Sequence, residues 1–471
     1  MITTKLKPME HQLQAYDRFI NKDYGALFCE MGTGKTKIIL DIIQNGVESN
    51  ILVIAPNGLH LNWYHSEIPK HLDIDHACYC WKGTPTSKKA KQELSDFMDR
   101  ESPYKFFLVN VEALRSLSGY KPVEAFLKAK RHSHIIIDES TCIKNPKAAQ
   151  TRACLKLSKM ADKRWILNGT PITQGPLDLF SQCKFLSPDS IPYSSYTAFK
   201  SQFAVETTIT MQNRSFRKIT GYRQLERLTK EIEPFSLKLD KKDCLDLPDK
   251  TFIEQHVDMT KEQSRAYTDM KDLCMAQLAS GEIITTTQAL TKLLKLHQIL
   301  TGFIIDDEGT TIELPNNRIP RLLQIAETKK PLVIFCAYRH NVLQVSKALS
   351  EAYGKDKVVT YYGDTSQDNR TGAVTRFQNG EADFFIGTSA AAKGLTLHRA
   401  DTTVYYSNNY SLETRLQSQD RIHRIGQTNR CTYIDLITPN TIDQMILAAL
   451  EAKKDLATSV LQDLTEILKS T

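Results

Sequence analysis

Two stretches of the chain alternate short apolar runs with longer amphipathic segments. In the first stretch, from Tyr24 to about Leu186, the runs contain few polar residues, as in parallel strands that are covered on both faces. A later stretch repeats the alternation, with amphipathic helices predicted for example over 341–353 and 366–378. The predicted strands are "GALFCE", "ILVIAP", "KFFLVN", "HIIIDE", "RWILNG", "PLVIFC", "KVVTYY", "DFFIGT", "TTVYYS" and "CTYIDLIT". The pattern predicts two α/β domains with parallel sheets.

The region between these stretches, from about Ser187 to Asn317, is rich in helical periodicity after a predicted hairpin near "TTITMQNRSFRKI". Leucines at helical spacing in "LTKLLKLHQILTG" indicate core packing. The acidic, proline-bearing "DDEGTTIELPNNRIP" predicts a hinge into the second α/β domain. We therefore predict a first α/β domain, a helical insertion with the hinge, a second α/β domain and C-terminal helices, over residues 1–186, 187–317, 318–440 and 441–471.

The composition is that of a globular protein with more than one domain, since 471 residues are 41% apolar and 24% charged. The apolar runs are too short to cross a bilayer, and the start, "MITTKLKPMEH", lacks the apolar core of a signal peptide. We expect a cytoplasmic protein without a membrane partner. The ten cysteines lack the paired spacing of a zinc site, which predicts buried, reduced thiols.

Charge permits a polyanionic partner without requiring one, since 61 Lys and Arg residues against 54 Asp and Glu residues give +7. The segment 212–230 is basic and contains Phe216 and Tyr222. Such a composition suits contact with phosphates and bases. A solvated hairpin and helix explains the same residues equally well.

The string "CEMGTGKT" at residues 29–36 is a candidate phosphate-binding loop. A Gly-Lys-Thr triplet is common by chance, so its surroundings decide. A predicted strand precedes the loop and a helix is predicted over Lys35 to Asn45. In that setting the helix N-terminus and the free backbone amides face the phosphates of a nucleotide.

Each residue type in the loop has a chemical reason to be there. Gly32 and Gly34 allow close approach of the phosphates, Lys35 can reach the β and γ phosphates, and Thr36 can hold magnesium. Cys29 stands where the strict pattern has its first glycine. A small residue can occupy that position if its φ is negative.

Two carboxylates in "HIIIDES" complete the predicted site. Asp138 and Glu139 follow an apolar strand, and ligands of open α/β sheets bind at the carboxyl ends of strands. Asp138 would hold magnesium together with Thr36, while Glu139 would orient and deprotonate the attacking water. Together with the loop, these residues predict an ATP site that uses Mg²⁺.

Arg421 and Arg424 lie three positions apart in "QSQDRIHRIGQ", a spacing that predicts one face of a helix. Arginines so placed could act on a γ-phosphate as arginine fingers. A surface helix that makes salt bridges is the alternative. For His423, which lies between them, we expect a packing role.

Several strings together resemble the Swi/Snf-type ATPases of helicase superfamily two. They are "LKPMEHQ", "CEMGTGKT", "LVIAPNGLHLNW", "FLVNVEALR", "DESTCIKNP", "LNGTPITQGPLDLFSQCKFLSP", "CLDLPDK", "GTSAAAKGLTLHRAD" and "QSQDRIHRIGQ", from Leu6 to about Leu450. The chain looks like a compact bacterial or phage member without added domains, and the family tolerates a non-glycine at Cys29. The resemblance implies two RecA-like lobes that close on ATP and step along double-stranded DNA, generally without separating its strands. It also completes the nucleotide-binding set, which is Gln12, Gly32, Thr33, Gly34, Lys35, Thr36 and Gly394.

The sequence departs from the family at three places. Ser140 and Thr141 stand where the family usually has Ala and His, so the link from the ATP site to the lobe-coupling motif is expected to run through a hydroxyl. Asn168 replaces the usual threonine of that coupling motif, and Ala391 and Ala392 replace glycines of the fifth motif.

The candidate DNA contacts are residues in loops at strand ends, namely Asn57, Asn110, Thr388 and Lys393. Capping or solvated loop positions explain these residues equally well. The favoured function is an ATP-dependent translocase on duplex DNA with weak sequence preference and marked salt dependence. The alternatives are a strand-separating DNA or RNA helicase and a non-catalytic ATP-binding scaffold that recruits a DNA-processing partner. We expect a monomer and leave a protein partner open.

Overall fold

In the computed structural model, the described residues are 3–129, 132–211, 214–279, 286–306, 308–363, 367–392 and 394–461. They form two compact units: residues up to 210, 215–246 and from 453 on belong to the first, and 211–214 and 247–452 belong to the second. Each unit is built around one parallel sheet with helices. The predicted α/β fold class with two parallel-sheet lobes is therefore confirmed.

The first unit is organised by a seven-stranded parallel sheet of strand order β3-β4-β2-β5-β6-β1-β9. Strands β7 and β8 pair with each other and form the predicted hairpin. The strands are β1 (Tyr24–Cys29), β2 (Ser49–Ala55), β3 (His76–Cys80), β4 (Tyr104–Asn110), β5 (Ser133–Asp138), β6 (Lys163–Leu167), β7 (Ala204–Met211), β8 (Arg214–Tyr222) and β9 (Ser236–Leu239).

Helices lie on both faces of this sheet. In β2, Leu52 and Ile54 belong to one buried cluster whereas Ile51 and Val53 belong to another, as expected when successive side chains of a strand point to opposite faces. Burial on both faces explains the uninterrupted apolar runs. The helices are α1 (Glu10–Phe19), α2 (Lys35–Gln44), α3 (Leu59–Asn62), α4 (Ile68–His71), α5 (Lys88–Asp99), α6 (Leu117–Lys128), α7 (Ala149–Leu157), α8 (Leu179–Leu186), α9 (Tyr196–Phe203), α10 (Leu225–Ile232) and α11 (Lys241–Cys244).

The second unit contains a six-stranded parallel sheet of order β10-β17-β16-β13-β15-β14 and the antiparallel pair β11-β12. Its strands are β10 (Lys250–His256), β11 (Phe303–Ile305), β12 (Thr311–Glu313), β13 (Leu332–Phe335), β14 (Val358–Tyr361), β15 (Phe384–Gly387), β16 (Thr402–Tyr405) and β17 (Cys431–Ile437). Its helices are α12 (Lys261–Ala279), α13 (Thr286–Leu300), α14 (Arg318–Thr328), α15 (Arg339–Tyr353), α16 (Gln367–Gln378), α17 (Leu412–Gln419) and α18 (Ile442–Leu461).

All ten predicted strands are present. The predicted core role is confirmed for Leu296 and Leu300 of α13, whereas Leu294 is 53% exposed. Leu296 and Leu300 pack in one buried cluster with Ile442 and Ile446 of α18. Residues 462–471 of the predicted C-terminal helices lie outside the described part of the chain.

The division after Asp246 falls inside the segment that we assigned to the insertion. The cause is visible in the sheets, because β9 pairs with β1 while β10 pairs with β17. The segment 187–317 thus supplies one edge strand to each sheet. Part of the predicted hinge forms the β11-β12 pair of the second unit, so the boundaries at 186 and 317 stay predictions.

No helix in the described ranges combines the length and apolarity that crossing a membrane requires. The cysteines with described side chains are free thiols, either buried or half-buried. This agrees with the predicted reduced state.

Candidate nucleotide site

The phosphate-binding loop connects the end of β1 to the start of α2. Gly32 has φ 90° and Gly34 has φ 92°, a left-handed conformation that glycine adopts without strain. The Thr33 hydroxyl donates to the Glu30 carbonyl at 2.8 Å and closes the turn. No side chain caps the first turn of α2, which leaves its amides for an anionic ligand.

Cys29 explains why the loop tolerates a residue other than glycine at its first position. Among the described non-glycine residues, positive φ occurs only at Glu139, Gln224 and Asn440. The Cys29 side chain is fully buried, and its Sγ lies 3.8 Å from the carbonyl oxygen of Leu237 in β9. Burial raises the pKa of this thiol to about 12. The thiol is therefore a neutral core group.

Lys35 and Gln12 both lie against the loop backbone. The buried Lys35 Nζ donates to the carbonyl of Cys29 at 2.7 Å. Gln12 Nε2 donates to the carbonyl of Thr33 at 3.1 Å, and His11 Nε2 donates to the same oxygen at 2.8 Å. A Cβ atom on Gly34 would lie 2.1 Å from Gln12 Nε2. The structure thus brings Gln12, a member of the predicted nucleotide-binding set, onto the predicted phosphate-binding loop.

Glu30, which lies in the phosphate-binding loop, makes two hydrogen bonds to the chain at and after strand β9. The Glu30 amide donates to the carbonyl of Leu239 at 2.9 Å. The Glu30 carboxylate accepts from the amide of Lys241 at 2.6 Å. The loop is therefore bonded to β9 and to the first residue of α11.

Asp138 is the last residue of strand β5 and Glu139 directly follows it, as predicted, and both side chains are buried. Asp138 Oδ1 accepts from the Glu139 amide at 3.0 Å, and Oδ2 accepts from Trp63 Nε1 at 2.8 Å. Glu139 has φ 51° and ψ 61°. Such left-handed geometry at a non-glycine residue is uncommon and clusters at functional sites.

The carboxylates and the phosphate loop share one edge of the sheet. Strand β6 separates β5 from β1, so their carboxyl ends lie about 10 Å apart at the usual strand spacing. Magnesium is typically held by one or two carboxylates, a hydroxyl or water, and the phosphates of the nucleotide. The Asp138 carboxylate and the Thr36 hydroxyl are hard oxygen donors of that type, so the residues fit this ion.

The predicted hydroxyl link is confirmed. Ser140 Oγ donates to Gln182 Oε1 at 2.6 Å, and Asn168 Nδ2 donates to Ser140 Oγ at 3.3 Å. Gln182 Nε2 in turn donates to the carbonyl of Pro171 at 2.9 Å. Ser140 thus connects the end of strand β5 to Asn168 and Gln182.

The prediction that Arg421 and Arg424 lie on a helix is wrong. Helix α17 ends at Gln419, and Arg421 lies in a turn and Arg424 in a bend. The Arg421 carbonyl accepts from the Leu397 amide at 2.9 Å. This carbonyl is therefore bonded to a segment distant in the chain and not to an amide of a continuing helix.

The two arginines are nevertheless brought together. Arg421 Nη1 and Arg424 Nη1 donate to the same carbonyl, that of Leu395, at 2.8 and 3.0 Å. Leu395 follows Gly394, which has φ 70°. Arg421, Arg424 and Leu395 thereby form one local cluster. His423 Nε2 donates to the carbonyl of Pro248 at 2.8 Å, in keeping with the predicted packing role.

The four candidate DNA contacts differ in their surroundings. Asn57 is exposed and Asn110 is half-buried, and β2 and β4 pair in parallel, so both residues stand at one sheet edge. The Thr388 hydroxyl accepts from the Ala390 amide at 3.4 Å, a capping contact. Lys393 lies outside the described residues.

Sequence reasoning missed Trp63 and His11 as members of this site. Both make their contacts to residues distant in the chain, and no spacing rule predicts such contacts. The position of His11 beside Gln12 was a signal that could have been used.

Two known domain families match successive parts of the chain. Residues 11–302 match the SNF2-related domain, and residues 316–426 match the helicase conserved C-terminal domain. The chain is 24% identical over 96% of its length to the uncharacterized ATP-dependent helicase MG018 of Mycoplasma genitalium. It is 26% identical over 97% to nuclear protein STH1/NPS1 of Saccharomyces cerevisiae, and 27% identical over 97% to the chromatin-remodeling subunit snf22 of Schizosaccharomyces pombe.

These relatives are much longer proteins, because the matched regions cover 41%, 34% and 28% of their lengths. A solved structure, the Sulfolobus solfataricus SWI2/SNF2 ATPase core in complex with dsDNA, covers 99% of this chain and 95% of its own, at 24% identity with a TM-score of 0.41. With a loop of the predicted type, two buried carboxylates and a family match over most of its length, the chain belongs to the SNF2-related family.

Proposed function

We propose that this protein is an ATP-dependent DNA motor, which hydrolyses ATP and translocates on double-stranded DNA with weak sequence preference. The observation that carries the proposal is the parallel arrangement of β1 and β5 in one sheet. It sets the phosphate loop with Lys35 and the carboxylate of Glu139 at the same edge. Membership of the SNF2-related family and the ATP-dependent helicases among the relatives support it.

The loop would bind the triphosphate through its backbone amides and Lys35. For this, the Lys35 ammonium exchanges the Cys29 carbonyl for phosphate oxygens, and the Gln12 amide exchanges the Thr33 carbonyl for the adenine edge. Both exchanges replace one hydrogen bond by another. Nucleotide binding at this site therefore needs only local side-chain movement.

Thr36 and Asp138 would hold Mg²⁺, which supplies positive charge to the β and γ phosphates. Glu139 would accept a hydrogen bond from the attacking water and take up its proton. The left-handed backbone conformation of Glu139 sets the direction in which its side chain leaves the backbone. This residue is our candidate general base.

Arg421 and Arg424 would stabilise the charge that develops on the γ-phosphate. Each guanidinium carries five N–H donors and can serve more than one acceptor at once. Their shared bond to the Leu395 carbonyl holds the two cations side by side. We place both among the catalytic residues of this proposal.

Duplex DNA would be held through its phosphates, for which Asn57, Asn110, Thr388 and Lys393 are the candidates. Phosphate contacts position a protein on DNA without reading its sequence. Binding is therefore expected to weaken steeply with salt. A monomeric state, a cytoplasmic location and an unidentified protein partner also belong to this proposal.

The test is the steady-state ATPase rate without nucleic acid and with duplex DNA, single-stranded DNA or RNA. We expect stimulation by duplex DNA, and its loss in Lys35→Ala and in Glu139→Gln. The matched control is Glu93→Gln, which changes an exposed carboxylate of the same unit. Wild type without any duplex-stimulated ATPase would contradict the proposal.

Translocation and strand separation are then distinguished on two substrates. A translocase displaces the third strand of a triplex without unwinding a forked duplex. If the protein unwinds the fork, the assigned activity changes from translocase to strand-separating helicase.

A further inference from the structure

A wide helical turn follows strand β2 and contains Trp63, which contacts the carboxylate of Asp138. Residues Trp63–Glu67 form a π-helical turn between α3 and α4. The Ile68 amide donates to the carbonyl of Trp63, five residues earlier. Single π turns inside helices are rare and frequently occur at functional sites.

The position of this turn is set by the sheet. Strand β2 is the parallel neighbour of β5, with Ile54 in register with Ile137. Chain that leaves β2 therefore lies over the carboxyl end of β5, where Asp138 stands. Trp63 is 1% exposed there, and its Nε1 donates to Asp138 Oδ2 at 2.8 Å.

The chemistry of this donor suits a metal-binding carboxylate. An indole N–H is a donor only and carries no charge. It can hold one oxygen of Asp138 in place and leave the negative charge of the carboxylate uncompensated. A lysine or arginine at the same place would neutralise that charge. The other oxygen accepts from the Glu139 amide. The two donors together fix the plane of the carboxylate.

Buried indoles usually find an acceptor, so the hydrogen bond of Trp63 could in principle serve packing alone. Trp165 shows how a packing tryptophan is satisfied in the same unit. Its Nε1 donates to His134 Nδ1 at 3.3 Å, and its side chain is also fully buried. Neither Trp165 nor His134 belongs to the nucleotide site. The two tryptophans are thus a matched pair that differs in the acceptor.

We propose that Trp63 is a positioning residue that orients the Asp138 carboxylate for the magnesium of bound Mg-ATP. This inference rests on the proposed function, since it assigns a role toward the same nucleotide. Partners that orient metal ligands typically contribute about 10- to 100-fold to metal affinity. Loss of the indole N–H should therefore weaken metal-dependent nucleotide binding and spare binding that needs no metal.

The test uses the full chain and three variants. Trp63→Phe removes the N–H together with part of the ring. Replacement of Trp63 by benzothienylalanine removes the N–H from a ring of nearly the same shape, which guards against misfolding. Trp165→Phe is the matched control. The anisotropy of a fluorescent, non-hydrolysable ATP analogue is measured against Mg²⁺ concentration and in EDTA, and Mn²⁺ binding is followed by electron paramagnetic resonance.

We expect both Trp63 variants to need about tenfold more Mg²⁺ for half-maximal nucleotide binding, with unchanged binding in EDTA. Trp165→Phe should match wild type. An unchanged Mg²⁺ dependence in the benzothienylalanine variant, or an equal shift in Trp165→Phe, would overturn the positioning role. Wild type that binds no nucleotide at any Mg²⁺ concentration would instead overturn the proposed function on which it rests.

Discussion

The hydroxyl of Ser140 donates to Oε1 of Gln182 at 2.6 Å, and both side chains are fully buried. Ser140 directly follows the candidate base Glu139. Gln182 lies in α8 and bonds the Pro171 carbonyl beyond the coupling motif. A single hydroxyl therefore connects the end of β5 to the segment after β6.

Ser140→Ala should uncouple these elements. It leaves Asn168 Nδ2 and Gln182 Oε1 buried without this partner, and each loss costs about 1 to 3 kcal/mol. We expect a lower free energy of unfolding and a reduced kcat of the DNA-stimulated ATPase, measured by urea unfolding and steady-state kinetics. Ser181→Ala is the control, since the Ser181 hydroxyl is buried without a hydrogen bond in the described structure. Equal effects of the two changes would contradict this reasoning.

Gly34→Ala should weaken nucleotide binding, because Gln12 must give way to the new methyl group. The new Cβ would lie 2.1 Å from Gln12 Nε2 and would occupy a residue of φ 92°. Gly58→Ala separates the steric clash from the backbone strain. Gly58 also has a positive φ, of 87°, but a Cβ added there would meet no heavy atom within 4 Å beyond its chain neighbours. We expect Gly58→Ala to show only the backbone strain, of about 1 kcal/mol, with nucleotide affinity retained in a filter-binding or anisotropy assay. Normal affinity in Gly34→Ala would show that Gln12 moves away freely.

The two arginines should respond differently to substitution. Arg421 is 1% exposed and donates to the carbonyls of Gln417 and Leu395, so Arg421→Ala should lower the melting temperature as well as the ATPase rate. Arg424 is half-buried. Arg424→Ala should leave the melting temperature nearly unchanged and reduce kcat by about 10³-fold if it acts as an arginine finger.

The control for both arginines is Arg430→Ala. Its guanidinium pairs with Asp249 at 3.5 Å, and both side chains are largely exposed, a setting in which an ion pair contributes little. A melting temperature equally lowered in Arg424→Ala and Arg421→Ala would contradict the assigned difference in burial.

Acidification should destabilise the second unit through His297. Burial lowers the pKa of His297 to about 4, although Asp443 opposes this shift. In unfolded chain the imidazole has a pKa of about 6.5, so between these values the unfolded state binds the proton and the folded state does not. The stabilisation is therefore present above about pH 6.5 and is lost as the pH falls toward 4, by about 1.4 kcal/mol per pH unit.

Urea unfolding at pH 7, 6 and 5 measures this dependence. His297→Gln should flatten it, whereas His256→Gln, at a histidine whose side chain is 60% exposed, should leave it as in wild type. An unchanged pH dependence in His297→Gln would show that another group is responsible. His71 and His134 of the first unit also have pKa values lowered by burial, to about 4 and about 3, so the transition of the second unit must be followed separately.

Much of the fold was predictable because its central strands are buried on both faces and read as continuous apolar runs. The edge strand β10 lacks this burial and was missed. Its sequence "KTFIEQH" is mostly exposed and mixes polar with apolar residues. Strand β9 has only four residues and lies in a segment that reads as helical insertion. Local patterns do not reveal which strand will pair with a short partner from far along the chain.

The candidate site was predictable where its chemistry is local in sequence. The loop around Lys35 and the carboxylates after β5 carry their own residue pattern. The helix predicted through Arg421 was wrong because carbonyl and amide groups of the segment 395–397 compete for that arginine. The Trp63 contact was missed because it depends on the adjacency of β2 and β5, which only the folded sheet provides.

The pairing of β9 beside β1 has a mechanical consequence. The chain leaves the first sheet at Leu239, whose carbonyl holds the Glu30 amide, and Lys241 then holds the Glu30 carboxylate through its own amide. Strain in the peptide that follows Leu239 would therefore act on the candidate phosphate-binding loop through these two hydrogen bonds.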